Sequence, residues 1–445
     1  MRRAEQRPPV RHAHRWHFPE PRKYWLDNGL QVLANHRPGQ HVAAVALVLD
    51  TPLSEEPSDT EGVATLAQRC LDEGTRTHPG AAFAESLEDI GAVLGGSAGY
   101  SATQLFCDVP TSRLPAALAL LAEAVREPEL RAEDVRRHQK LRLAEIEHTL
   151  ANSSQRAQQA FRAACIPSRF RTSRMAGGTA ATVSRIEADD VRSFHERYYR
   201  PDGATLVISG DLSRTVFGDA EDAFGDWSVP APSSIRHQVP VARRQHCWLI
   251  DRPGAVQADV RLGGFGIDRG DPGWADLQVA TYALGGAFLS RLNRELRENL
   301  GYTYGVHLVN SPMRDGGLLS VQGSFRTEVV ADAVSRARDL LDVTGERLTT
   351  AEVSDAVAYA NGVSPLRYST AQGVTDRIAT LVADGVNPDF VNTNAIALTR
   401  VTPESATQAF SELLPLDRLT LVVVGDAAQL AEPLHAAGWT MSVHT

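Results

Sequence analysis

Cysteine is scarce in this chain: four residues in 445, at positions 70, 107, 165 and 247, with no C-x-x-C pairing. That excludes a disulfide framework and fits a reducing compartment, so a cytoplasmic location is expected. Long apolar runs are missing too. The longest stretches, such as Val42 to Leu49, fall far short of the ~20 residues a membrane span needs. No apolar segment follows Arg2 and Arg3, so no secretory signal is expected. Nor is there a basic excess: 45 Lys and Arg against 54 Asp and Glu leave a formal charge of −9, which argues against nucleic acid as the main partner. A phosphate-binding Gly loop, a Cys–His dyad and a G-x-S-x-G elbow are all absent. Gly95, Gly96, Gly99 and the pair Gly177-Gly178 read as turns instead. What is present is an ordinary globular composition, 43% apolar and 22% charged, which excludes wholesale disorder. The length suits two or three domains.

Charge is unevenly placed. Residues 1–23 hold seven Arg and Lys and two Glu, a net of +5, leaving −14 for the remainder. Pro8 and Pro9 interrupt any amphipathic helix there, so residues 1–22 read as a basic flexible arm.

The most informative feature is an internal duplication. Thr205-Leu206-Val207-Ile208-Ser209-Gly210-Asp211 is echoed by Thr420-Leu421-Val422-Val423-Val424-Gly425-Asp426, and Arg37-Pro38-Gly39 by Arg252-Pro253-Gly254, both at an offset of 215. Each R-P-G precedes a strand-like stretch, Val42 to Leu49 and Val256 to Leu262. The shared offset implies two homologous domains, 23–228 and 246–445, joined by a Pro- and Ser-containing linker at 229–245. In the first domain, strands are expected at Lys23–Leu33 and Val42–Leu49. Helices are expected at Gly62–Leu71, Phe83–Gly91, Leu114–Arg126 and Ala132–Leu150. Strands and helices mix without strict alternation, so the expected fold class is α+β, each domain a largely antiparallel sheet packed against helices.

In the second half, Leu289, Leu292, Leu296 and Leu300 form an apolar stripe at helical spacing, and Gly301 suits the cap at its end. Tyr302, Tyr304 and Val306 then alternate as a strand would, the two tyrosines sharing a face. Arg297, in the last helical turn, and Tyr304 can converge beside a ligand as hydrogen-bond donors suited to a developing oxyanion. Taken alone, these residues read more plainly as an Arg paired with a nearby Glu and a Tyr packed in the sheet. The segment Gly285-Gly286-Ala287 followed by Ser290-Arg291-Leu292, Leu296-Arg297-Glu298 and Tyr304 resembles the second-domain signature of the pitrilysin/insulinase metallopeptidase family, in its short-chain branch related to mitochondrial processing peptidase. The duplicated plan and Arg197-Tyr198-Tyr199-Arg200-Pro201-Asp202 resemble the family as well, so the likeness covers nearly the whole chain. It implies that Arg297 and Tyr304 hold peptide and stabilise a tetrahedral intermediate.

Members that cut peptides carry H-x-x-E-H on a first-domain helix, with a distal Glu as third zinc ligand. The matching segment here runs from Gly62 to Thr75, and the His, Glu and His positions fall on Thr65, Gln68 and Arg69. Thr and Gln are poor zinc ligands, neither replaces a carboxylate base, and a permanently cationic Arg69 opposes a divalent ion. Glu145 stands at the distal position, but one carboxylate makes no zinc site, so no metal is expected in this chain. Elsewhere, His12, His14 and His17 lie among arginines, and His138 and His148 would sit about 15 Å apart on one helix, too far to share an ion.

The resemblance therefore implies a zinc-less subunit forming one half of a clamshell. Its partner would be a homologous subunit carrying an intact H-x-x-E-H and the zinc, and Arg297 and Tyr304 would act on peptide in trans. Neither nucleic acid nor membrane is expected as a partner, and the chain alone is expected to be inactive. Three other readings stay open: a peptide-binding or structural core-type subunit without proteolysis, a homodimeric peptide-sequestering chamber and, last because no nucleophile–base arrangement can be named, an unrelated metal-free hydrolase. The strand Leu318–Phe325 reads equally as an ordinary interior strand or as an edge for receiving peptide by β-addition.

Overall fold

The computed structural model describes residues 16–229, 235, 237–243 and 246–444; the arm through residue 15, with His12 and His14, and positions 230–234, 236, 244 and 245 of the expected linker lie outside the described residues. Twelve strands form two six-stranded sheets. The first contains β1 (Arg22–Trp25), β2 (Gln31–His36), β3 (Val42–Leu49), β4 (Val93–Ala98), β5 (Thr103–Pro110) and β6 (Thr205–Gly210), in the order β1-β2-β6-β3-β5-β4. The second contains β7 (Cys247–Asp251), β8 (Gln257–Gly266), β9 (Val306–Pro312), β10 (Gly317–Arg326), β11 (Thr420–Gly425) and β12 (Ser442–His444), in the order β12-β7-β11-β8-β10-β9.

The duplication is physical. Val32 faces Leu206 in the parallel pair β2/β6, and Cys247 faces Leu421 in β7/β11, the same register displaced by 215 residues. Only β2/β6 in the first sheet and β7/β11 and β7/β12 in the second are parallel; the other pairings are antiparallel. The class is α+β with two domains, as expected. Two details differ. Lys23–Leu33 is a hairpin rather than one strand, because Gly29 turns the chain at φ 90°. Gly95 and Gly96 lie within β4 rather than in a turn: a Cβ on Gly96 would sit 2.6 Å from the Gln104 carbonyl and 2.8 Å from Gln68 Nε2, so close packing, not turning, requires glycine there.

The closing strands β6 and β11 read as unbroken apolar runs because helices cover both of their faces. Leu206 and Ile208 enter the main core of the first domain while Val207 points to the opposite side; Leu421 and Val423, and Val422 and Val424, divide in the same way. The cover on the second side is exchanged between domains. The helix Ser153–Cys165, from the first half, lays Ala157, Phe161 and Ala164 on Val422, Val424 and Leu318 of the second sheet. The helix Ala371–Ala383, from the second half, lays Val374, Ile378 and Ala379 on Val207, Leu33 and Val48 of the first. Hydrogen bonds pin each exchange. Thr375 Oγ1 donates to the Ala44 carbonyl at 3.2 Å, and Arg261 Nη2 donates to Ser154 Oγ at 2.7 Å. The last residues of the segment read as a free arm are docked as well: Phe18 is buried, and its main-chain N–H and C=O both bond the Asn392 side chain.

Candidate functional site

The helix Val63–Arg69 buries Val63, Ala64, Leu66 and Ala67, which leaves Thr65, Gln68 and Arg69 together on its half-buried face. Its start is fixed by Gly62 at φ 106° and by Glu56, whose Oε1 accepts from the Gly62 and Ala64 N–H groups at 2.9 and 3.0 Å. Opposite lies the helix Ala132–Ala151, which carries Glu145. Arg69 closes on Glu145 as a two-pronged pair, Nη1 to Oε1 and Nη2 to Oε2, both at 2.9 Å, and Arg142 adds a third bond at 3.1 Å. The Arg69 guanidinium, helped by Arg142, holds the Glu145 carboxyl below its ordinary range. Thr65, Gln68 and Arg69 thus line a groove of about 420 Å3 with Arg142, Gln158 and Gln159, and Glu145 joins them through its bonds to Arg69 and Arg142. Arg142, one turn before Glu145, was missed from sequence; its i,i+3 spacing was the available signal.

Around Arg297 the helix departs from the expected stripe. Ser290 caps it and accepts from Asn293 N–H, so Leu289 lies outside the helix and is exposed, while Leu292 and Leu296 are buried. The helix then widens: Leu300 N–H bonds the Glu295 carbonyl five residues back, an i→i+5 bulge of the kind often found at functional sites. Gly301, at φ 62°, ends it as a left-handed cap: its N–H reaches the Arg297 carbonyl four residues back, and the Tyr302 N–H reaches the Leu296 carbonyl six residues back. β9 begins only at Val306, so the expected strand face for Tyr302 and Tyr304 is corrected. The tight turn made by Thr303 Oγ1 and Gly305 separates them. Tyr302 is half-buried and donates to Asp332 Oδ2 at 2.8 Å, whereas Tyr304 is 99% exposed. The Arg297 guanidinium lies 4.0 Å from the Phe288 ring centroid, with Nε 3.3 Å from Glu298. Arg297 and Tyr304 line one open groove of about 680 Å3 with Gln257, Ser324 and Arg326. Tyr304 makes no side-chain hydrogen bond to the described residues.

One polar face joins the two grooves. Gln158, in the first, accepts from Arg261 and Gln322; two residues along β8, Asp259 accepts from Ser153; two further on, Gln257 lines the second groove and accepts from Ser324. Arg261, Asp259 and Gln257 share a face at strand alternation and span roughly 14 Å. β10, the candidate peptide-receiving edge, is interior, paired with both β8 and β9.

Residues 31–172 match the family described as insulinase (peptidase family M16), and residues 185–359 match the peptidase M16 inactive domain. This chain belongs to peptidase family M16. Similar proteins include an uncharacterized zinc protease of Mycobacterium tuberculosis, 28% identical over 77% of this chain and 79% of that one. Another is an uncharacterized zinc protease of Streptomyces coelicolor, 26% identical over 80% and 79%. The fold is shared with the crystal structure of a peptidase M16 inactive domain from Pseudomonas fluorescens, at TM-score 0.84 and 22% identity over 91% of this chain and 98% of that one. It is shared also with a chain of complex III2 from Candida albicans, at TM-score 0.78 and 12% identity over 94% and 99%.

In this M16 chain the zinc-motif positions do not fit a metal. Arg69 fills the space beside Glu145 with its own cation, and Thr65 and Gln68 offer no anionic or imidazole donor. Among the described residues no group of three His, Cys, Asp or Glu is placed to hold an ion. No helix of the described residues is long and apolar enough to cross a membrane.

Proposed function

We propose that this chain is the zinc-less subunit of a two-subunit M16 peptidase, acting in the cytoplasm as one half of a clamshell around peptide. The partner is a homologous chain with an intact H-x-x-E-H, and the zinc belongs to it. Arg297 and Tyr304 are this chain's contribution. The guanidinium and the phenol donate to the peptide carbonyl and to the oxyanion that develops from it. What supports the reading is the contrast along the polar face: one end carries a salt bridge where the family holds zinc, while the other presents a tyrosine that is 99% exposed, beside an arginine.

The test is reconstitution with the co-purifying M16 partner. Arg297→Ala and Tyr304→Phe should each lower kcat by about 10²-fold, the scale of one lost oxyanion donor, with the complex still eluting intact and one zinc per pair. Unchanged turnover, or peptide cleavage by this chain alone, would overturn the assignment.

A further inference from the structure

A second pocket, of about 330 Å3, opens in the second domain. It lies between the helices Trp274–Thr281, Thr350–Arg367, Ala371–Ala383 and Phe390–Leu398, with Asn310 of β9 at its wall. The arrangement repeats that of the Arg69–Glu145 groove. Counted from their N-caps, Asn152 and Thr370, the two exchanged helices put the same position into the two pockets: Gln159 in the first and Arg377 in the second.

Arg377 is the anomaly. Half-buried, it makes no hydrogen bond or ion pair to the described residues, and its Nε is buried without a partner; the Phe390 ring lies 5.8 Å from the guanidinium carbon. Burial pulls its pKa down. The neighbouring Arg269 is already committed to Asp384, and burial, then the charge of Arg377, pull it down to about 10. Arg367 stands at the rim, and none of the residues lining the pocket is acidic. Two more buried polar atoms in this pocket lack partners, Thr281 Oγ1 and Asn310 Oδ1. A half-buried cation whose Nε is sealed from water and has no counter-ion is costly, and one organic carboxylate would satisfy it with the two-pronged geometry that a guanidinium favours. The wall also carries four aromatic rings, Trp274, Tyr282, Tyr359 and Tyr368, with Tyr282 stacked on Tyr359 at 4.5 Å and 21°, beside the polar Gln278, Asn361, Ser364 and Asn394.

We propose that this pocket binds a carboxylate carried on an aromatic or apolar body, with Arg377 as its counter-ion and Thr281 as a second donor. A peptide ending in a free aromatic residue and a free aryl carboxylic acid share this chemistry. The site is independent of the subunit reading, since it needs no partner and no turnover.

Calorimetric titration of the full chain decides it, with N-acetylphenylalanine, N-acetylphenylalaninamide and 3-phenylpropionate as probes. The acids should bind about tenfold or more tighter than the amide, the scale of a hydrogen-bonded charge, and Arg377→Gln should erase that difference. Tighter binding of N-acetylphenylalanine than of 3-phenylpropionate assigns a peptide end; equal binding assigns a free acid. Thr281→Val, nearly isosteric, should weaken the acids and spare the amide. Arg377→Gln should also leave the ligand-free Tm unchanged or higher, because it removes an uncompensated charge. Equal affinity for acid and amide, no acid binding below about 10 mM, or acid binding that survives Arg377→Gln would each overturn the site.

Discussion

At the scale of single residues, the arginine of the S-R-L motif has a role that its spacing did not disclose. Arg291 is buried and donates to Glu352 Oε1 and Oε2 at 2.6 and 2.7 Å and to the carbonyls of Glu346 and Arg347 at 2.7 and 2.8 Å. It anchors the helix that leads to Arg297. Burial pushes the Glu352 carboxyl up, but Arg291 and the Thr349 N–H and hydroxyl outweigh it and bring the pKa down to about 2. The unfolded chain, with an ordinary value near 4.5, therefore binds this proton first. The stabilisation is complete above about pH 4.5 and disappears as the pH falls toward 2. Urea unfolding at pH 6 should show Glu352→Gln about 3 kcal/mol less stable than the parent, with the gap narrowing at pH 3; a gap that holds constant with pH would refute the linkage.

A second buried pair, Glu56 with Arg171, has side chains 0% and 3% exposed and closes at 2.8 Å. Glu56 also caps the helix that carries Arg69. Arg171→Met strands its carboxylate and should cost about 3–5 kcal/mol. Adding Glu56→Gln should recover part of that loss, and strictly additive losses in this double-mutant cycle would show that the charges do not interact. No motif marked either residue, because a buried ion pair separated by 115 positions leaves no local pattern. Arg69 and Glu145, by contrast, were legible as neighbours because the family spacing places both on facing helices.

At the scale of elements, strands were more legible than helix placement. The apolar run of β6 recurs in β11 at a fixed offset, and both register and burial follow it. The break of Tyr302 and Tyr304 from β9 was not readable, since alternation over three residues fits a turn as well as a strand. The exchange of helices was also invisible: an amphipathic helix declares that it needs a sheet, not which sheet. It yields a direct prediction. Phe161 belongs to the first half of the chain but is fully buried on the second sheet. Phe161→Ala should cost about 3–5 kcal/mol, and amide exchange should accelerate more in Thr420–Gly425 than in Thr205–Gly210. The opposite order would mean that the helix belongs to its own domain.

At the scale of the whole molecule, the exchange makes the two domains interdependent, although the duplication alone reads as two units on a linker. Without the helix Ala371–Ala383, the first sheet would expose Leu33, Ala46, Val48 and Val207, all at most 3% exposed in the intact chain. Without Ser153–Cys165, the second sheet would expose Ile250, Leu318, Val422 and Val424. Apolar faces of this kind drive association or aggregation when uncovered. A chain carrying a protease site inserted after Val229 should therefore elute at its full size after complete cleavage, and should come apart only in denaturant. The fragment 1–229 expressed alone should aggregate, and co-expression with 230–445 should rescue it in one-to-one ratio. Cleaved halves that separate in native buffer would contradict the exchanged packing. So would a first half that is monomeric and stable by itself, because either result would mean that each sheet finds its second cover within its own half.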